Sequence, residues 1–318
     1  MNHQDNEDFI DLGEIFSILL SYKKIIFIGL IISGLASIYI AKSSPDIYRS
    51  SALLEPQQSN QNQNSFSSIP AGFGGLASLA GVQLPTSSLD RGLYAIEVIK
   101  SKVFFKHLLS IDSDRILPSI MAIESYDISN KKIKFDTNIY NDASNKWVRE
   151  VKANQKVVPS YIEAHEHFLS ILEVFKDKKT GYIYIAIDHQ SPVFAQYLLN
   201  LVILEVNNLT REMEMQETSE AIEYLTKKQL STKVSSVKLS INNIIESQLQ
   251  TQMLTNIREE FLLKTIDPPV VPEIKIGPSR LFICVIGVFF GFIFSIFSVL
   301  VFHLLRSNYI TTQDSADT

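Results

Sequence analysis

Two long uncharged apolar runs bracket the chain, and between them the apolar spacing changes from segment to segment. Near the far end, Leu281 to Phe302 gives about 22 residues without a charge. As a helix they reach about 33 Å, enough to cross a ~30 Å hydrocarbon layer. A buried core helix seldom stays apolar on every face for that length, so the pattern predicts a transmembrane helix, placed at 281–305. Pro268, Pro269, Pro272 and Pro278 precede it. Proline cannot continue a helix and biases the residue before it towards extended backbone, so a stiff, non-helical lead-in is expected. Near the start, Ile25 to Ala41 is a second uncharged run of about 17 residues between Lys23-Lys24 and Lys42, just long enough to span. A cleaved signal peptide is the alternative, with Gly34 and Ala36 as small residues ahead of a cut. The leader of about 24 residues, rich in Asp and Glu, argues against it, because signal peptides open with a short basic stretch.

Asp11 followed by Glu14 has the spacing of a helix capping box leading into Ile15, Phe16 and Ile18. Tyr48 to Leu54 reads as a strand ended by Pro56. Gln57 to Ser68 is a low-complexity Asn/Gln/Ser run and Ile69 to Ser88 is rich in Gly, Ala and Leu; together they predict an exposed loop. Gly72, Gly74 and Ala77 match a degenerate dinucleotide fingerprint, which is discounted because no strand precedes it. Ser87 and Asp90 open a helix with Leu93, Ile96, Ile99, Val103 and Phe104 on one side. From there to Val158 short strands and polar turns mix without a legible order. Pro159 and Ser160 open a short helix with Tyr161, Ile162 and Phe168.

Leu169 to Phe175 is an apolar run, 177–181 (Asp-Lys-Lys-Thr-Gly) a turn, and Tyr182 to His189 a strand with Ile183, Ile185 and Ile187 on one face: a β-hairpin. Ser191 and Pro192 then supply an N-cap and a first-turn proline. No further proline or glycine appears until Pro268, so about 65 residues, 192 to about 256, are expected as one continuous helix about 100 Å long. Its first third carries Leu198, Leu201, Val202, Leu204, Val206 and Leu209, suited to packing on a sheet. Further on, Leu230, Val234, Val237, Ile241 and Ile244 step by four, three, four and three, the narrow seam of a helix-on-helix contact. Phe261 to Ile266 is expected to return as a strand.

The fold class expected is therefore an α+β membrane protein: two transmembrane helices flank an α/β base with one very long projecting helix. The domains are a tail at 1–24, spans at 25–41 and 281–305, a main domain at 42–280, and a tail at 306–318. A net charge of −5 without a basic stripe gives no reason to expect nucleic acid. The single cysteine, Cys284, sits inside the second span, so the main domain has no internal disulfide. Lys23, Lys24 and Arg306 flank the spans, and the positive-inside bias places both termini in the cytoplasm and the main domain outside, in the periplasm of a Gram-negative cell.

No catalytic, cofactor or metal site is expected. His165-Glu166-His167 lacks HExxH spacing, and residues two apart on a helix face different ways, so both are read as surface histidines. His189 beside Asp188 is read as an ordinary hydrogen-bonding residue. Asn208-Leu209-Thr210 is a glycosylation sequon inside a predicted helix, and the PxxP of Pro269 to Pro272 is read as a spacer. The spans do carry a packing motif. Gly287 and Gly291 form GxxxG, extended four residues on by Ser295, while Gly29, Ser33 and Ser37 repeat the spacing in the first span. Small faces of this kind let helix backbones approach closely in lipid, so the spans are expected to pair with each other, within or between subunits.

Several of these segments resemble the polysaccharide co-polymerases, the Wzz-type chain-length determinant proteins. They are Ile10-Asp11-Leu12-Gly13-Glu14-Ile15 with Lys23-Lys24, Pro45 and Tyr48, the run from Asp177 to Ile183 leading to Ser191-Pro192, and Pro269, Pro272, Gly277 and Pro278. The resemblance implies two inner-membrane spans, a periplasmic base with a projecting helix, and a bell-like, often octameric homo-oligomer. It also implies regulation of the chain length of O-antigen lipopolysaccharide or a related polymer. The partners implied are the lipid bilayer, further copies of the chain, a membrane polysaccharide polymerase and the growing glycan. Some relatives carry a kinase domain after the second span; about 12 residues follow Arg306, so a member without it is expected. Two other classes share some features: a periplasmic adaptor of an efflux or secretion system, which needs only one anchor, and a two-span sensor, for which the short tail offers no signalling domain. A transporter fits least, because neither span has the buried ionisable residue that such work requires.

Overall fold

The computed structural model describes residues 19–57, 90–152 and 155–314, and falls into two compact units: the chain ends (residues 1–46 and 276–318) and the middle (47–275). In chain order the elements are α1 (Lys23–Ser43), β1 (Ile47–Pro56), α2 (Arg91–Lys100), α3 (Lys102–Met121), β2 (Ile123–Asp127), β3 (Lys132–Phe135), β4 (Tyr140–Asn141), β5 (Lys146–Trp147), α4 (Tyr161–Ile171), β6 (Leu172–Lys176), β7 (Ile183–His189), α5 (Pro192–Ser231), α6 (Ser235–Ile257), β8 (Leu263–Asp267), β9 (Lys275–Gly277) and α7 (Arg280–Asp314). The chain is thus of mixed helix and sheet, with a long apolar helix towards each end. The capping pair Asp11 and Glu14, and the Gly-rich loop with Gly72, Gly74 and Ala77, lie outside the described residues.

In the middle unit β6, β7, β1 and β8 lie side by side in that order, with β1 antiparallel to both neighbours. Strict alternation puts Ile183, Ile185 and Ile187 of β7 and Ala52 and Leu54 of β1 on the buried side. Helices α2 to α5 cover that side, where Phe104, Phe105, Phe168 and Phe194 are fully enclosed and Phe105 stacks on Phe168 at 4.8 Å. The hairpin of β6 and β7 forms around the turn at 177–181, where Gly181 takes φ +77°, the left-handed region that glycine enters without penalty. Two small hairpins, β2–β3 and β4–β5, meet through Phe135, Tyr140 and Trp147, whose rings lie 5.4 and 5.1 Å apart in sequence.

Helix starts follow the side chains that accept orphan amides. Asp90 accepts from Gly92 and Leu93, Ser160 from Glu163, and Ser191 from Phe194 with Pro192 at the first helical position. The helix expected from Asp90 is shorter than its apolar spacing suggested. Ser101 turns extended and caps a second helix through the Phe104 amide, which resets the phase and leaves Leu93 and Val103 exposed. Leu169 to Ile171, read as strand, belong to the end of α4.

The long helix also ends earlier than expected. Helix α5 runs 40 residues, about 60 Å, and stops at Ser231 instead of continuing to about 256. Thr232 and Val234 are extended, and α6 then packs back along α5, with Gln252 Nε2 donating to Ser219 Oγ at 2.8 Å and Gln229 bonded to Asn242. The cause is local competition. The Ser231 and Thr232 hydroxyls both donate to the Lys228 carbonyl, at 2.9 and 2.7 Å, and β-branched Thr232 and Val234 are poor helix formers. The proline- and glycine-free stretch is therefore a helical hairpin.

Candidate functional site

The residues with the clearest geometric role lie where α1 packs on α7. The two helices run antiparallel, so as one advances by four residues the other retreats by four. Gly29 faces Ser295, Ser33 faces Gly291 and Ser37 faces Gly287. Each of these three glycines meets a serine. A Cβ placed on Gly29 would sit 2.5 Å from Ser295 Oγ and 3.1 Å from its Cβ; on Gly287 it would overlap Ser37, and on Gly291 it would overlap Ser33. Side chains larger than hydrogen are thus excluded at three consecutive turns, and all six residues named from the sequence meet in one interface.

The serines keep their hydroxyls satisfied without water. Ser33 donates to the Leu30 carbonyl (3.1 Å) and Ser37 to that of Gly34 (2.9 Å), each within its own helix, while Ser295 donates across the pair to Ile26 at 3.4 Å. Ser37, Ala41, Ser295 and Val299 are buried, and the outer faces of both helices expose Phe27, Ile31, Leu35, Phe289 and Phe294 among others. That is the pattern of an interface between helices whose remaining surface meets hydrocarbon. Both helices are long and apolar enough to cross a membrane. The pair is closed at one end by Arg280 bonded to Asp46 (3.0 Å) and at the other by Tyr22 edge-on to Phe302.

The proline lead-in is held differently. Residues 268–274 are non-helical, and two of their carbonyls are anchored: Pro269 accepts from Gln196 Nε2 (3.2 Å) and Val270 from Ser50 Oγ (2.8 Å). Pro268 and Pro272 lie in this run, and Pro278 lies two residues before Arg280, where α7 begins. The proposed seam is not one stripe. Leu230 lies in the last turn of α5, Val234 sits in the bend, and Val237, Ile241 and Ile244 lie on α6. Only Ile241 is buried, because the break at Thr232 to Val234 reverses the chain between the first and third members.

Two histidine assignments change on folding. His165, read as exposed, is buried, with Nε2 donating to the Lys100 carbonyl at 2.8 Å and its ring against Phe105; only His167 faces out. Sequence spacing could not show this, because the burial comes from α2 and α3 crossing α4. His189 is buried with both nitrogens occupied: Nδ1 accepts from the Ser191 amide and Nε2 donates to the Ser119 carbonyl. Burial pushes its pKa below the ordinary histidine value. Among the described residues no three His, Cys, Asp or Glu side chains converge as metal ligands would.

Sequence reasoning passed over several residues that tie the middle unit together. Asn207, next to the sequon at Asn208, ties α5 to Leu262 and Leu263 at the start of β8 through three hydrogen bonds and makes a fourth to Ile203 in its own helix. Arg49 on β1 makes a two-pronged bond to Asp188 and reaches Glu173 on β6 at 2.8 Å. Arg149 clamps Glu163 at the start of α4 and holds its carboxyl below the usual carboxylate range.

The family model described as "Wzz: Chain length determinant protein" matches residues 8–109, a stretch that includes α1, β1, α2 and the first turns of α3. The resemblance to the Wzz family holds. Among solved structures, a full-length bacterial polysaccharide co-polymerase is 13% identical, over 94% of this chain and 99% of that one, with a TM-score of 0.36, too distant to carry an argument. No curated protein matches. The Wzz match covers the first long apolar helix and the strand that follows it.

Proposed function

We propose that this chain regulates the length of a surface polysaccharide, O-antigen lipopolysaccharide or a related polymer, as a non-catalytic homo-oligomeric scaffold beside the membrane polymerase. The match of residues 8–109 to the chain length determinant family carries the reading. In it the main domain at 42–280 faces the periplasm, the tails at 1–24 and 306–318 face the cytoplasm, and the paired spans at 25–41 and 281–305 set how each subunit stands in the membrane. The Gly29, Ser33, Ser37, Gly287, Gly291 and Ser295 interface supports the last point, since it leaves the two helices little freedom to slide or separate. A ring of such subunits raises the local concentration of polymerase and growing glycan by tethering them to one frame. Chain length then follows from how long the frame retains the glycan relative to each extension step.

Deleting the gene and separating the cell's lipopolysaccharide and capsule by gel electrophoresis tests the reading. Loss of the preferred chain-length cluster, restored by the intact gene, is expected. An unchanged ladder and capsule would overturn it and direct attention to an efflux adaptor, read by drug accumulation.

A further inference from the structure

The helical hairpin of α5 and α6 separates its charges along its length. Residues 212–223 of α5 hold five glutamates and no lysine or arginine, whereas residues 224–245, which run through the bend, hold four lysines and no Asp or Glu. Lys227 is bonded to Glu223, one turn back, at 2.6 Å, while Lys228, Lys233 and Lys238 stand exposed. The two helices stay paired up to the bend. Ser219 bonds Gln252 and Gln229 bonds Asn242, ten residues apart on each helix, so one antiparallel register holds throughout. The last turn of α5, the bend and the first turn of α6 therefore gather the lysines at one end.

That end is also apolar. Beyond Thr218 no residue of α5 is buried, so its last ~20 Å stands clear of the core. Leu230 is 78% and Leu239 64% exposed, and Val234 and Val237 are open to solvent between them. Val234 gives α6 no side-chain cap, which leaves the amides that open this helix for water or an outside acceptor. Exposed leucines grouped with lysines and uncapped amides make a surface that is both cationic and hydrophobic.

We propose that this end of the hairpin docks on the surface of an anionic phospholipid bilayer. The ammonium groups of Lys228, Lys233 and Lys238 meet lipid phosphates, the opening amides of α6 donate to the same oxygens, and the four apolar side chains enter the acyl boundary. The glutamates of 212–223 lie about 12–30 Å back along α5 from Ser231, beyond a Debye length of about 8 Å, so their repulsion from that surface is screened. An acidic glycan would engage the lysines but leave the leucines in water. A second copy of the hairpin set alongside would bring lysine against lysine. A bilayer uses both features at once. The inference goes beyond the chain-length reading and stands without it.

The test uses the full chain reconstituted in phosphatidylcholine nanodiscs, mixed with vesicles of phosphatidylglycerol and phosphatidylcholine and floated on a density gradient. Co-flotation with the anionic vesicles, but not with pure phosphatidylcholine vesicles, is expected, and it should fall as salt rises. A lysine near such a surface contributes about fivefold in affinity, so Lys228→Gln, Lys233→Gln and Lys238→Gln together should weaken binding roughly hundredfold. Leu230→Ser with Leu239→Ser should weaken it about tenfold or more. All five side chains are exposed, so both combinations should keep the parent's circular dichroism. Lys178→Gln, in the turn between β6 and β7, should bind like the parent. A polarity-sensitive fluorophore at Ser236→Cys, with Cys284→Ser removing the native thiol, should shift to the blue on anionic vesicles. No co-flotation at low salt, equal flotation with neutral vesicles, or unchanged binding in either combination would overturn the proposal. So would leucine variants that change oligomer size while the parent ignores vesicles, which would assign this end to a neighbouring copy. A blue shift with soluble polyglucuronate and none with vesicles would overturn it in favour of a glycan.

Discussion

Replacing Asn207 with leucine should unfasten the return strand from the long helix. In the native chain Nδ2 donates to the Ile203 and Leu263 carbonyls, both at 3.0 Å, while Oδ1 accepts from the Leu262 and Leu263 amides at 2.7 and 2.9 Å. Part of the need arises because β1 stops at Pro56, opposite Leu263, and proline has no N–H to offer the Leu263 carbonyl. Leu262 and Leu263 are fully buried, so water cannot take the amide's place. Leucine fits the volume but strands two amides and a carbonyl. Each stranded group costs about 1–3 kcal/mol, and with partial relaxation the sum should be about 2–5 kcal/mol, a large share of the ~5–15 kcal/mol that holds a domain. Denaturant unfolding in mild detergent can be followed through the single tryptophan, Trp147, whose ring lies 5.1 Å from Tyr140. Hydrogen exchange over 261–267 reads the strand directly. Asn208→Leu is the control, because Asn208 bonds only Glu205 and Arg211 on its own helix. An Asn207→Leu protein within about 0.5 kcal/mol of the parent, with unchanged exchange at Leu262 and Leu263, would refute the reasoning.

In the spans, Gly287→Leu with Gly291→Leu should separate α1 from α7 and alter both oligomer size and polysaccharide length profile; overpacking of this kind costs about 1–3 kcal/mol per site. Gly34→Ala should be silent in the same assays, since its Cβ meets only Val288 Cγ2 at 3.9 Å, and equal effects from the two changes would refute the register. His189 is neutral when folded and its pKa is depressed by burial, so its contribution is fully present above the unfolded value of about 6.5 and is lost as pH falls. The unfolding midpoint should therefore drop between about pH 7 and 5, and His189→Gln should flatten that slope. The Glu163 carboxyl, lowered by its bond to Arg149, stabilises above its unfolded pKa of 4.5 and loses that contribution below it; Arg149→Met should remove the dependence, measured by thermal unfolding from pH 6 to about 3.

The sequence by itself determined what local chemistry controls. Charge-free length marked the two apolar helices, period-two isoleucines marked β7, and Asp90, Ser160 and Ser191 marked helix starts, because each signal acts within a few residues of itself. The small-residue spacing of Gly287, Gly291 and Ser295 was equally legible, but which residue each would oppose was not. That required the second helix to arrive in one antiparallel register. The bend at Thr232 to Val234 had no glycine or proline to announce it; a weak local preference prevails there because α6 gains contacts along α5 that a straight helix would forgo. The burial of His165, the bonds of Asn207 to Leu262 and Leu263, and the contact of Arg91 with Phe261 join positions far apart in the chain. Such partners are chosen by packing of whole elements, which no local period encodes, and so only the tertiary structure decided them.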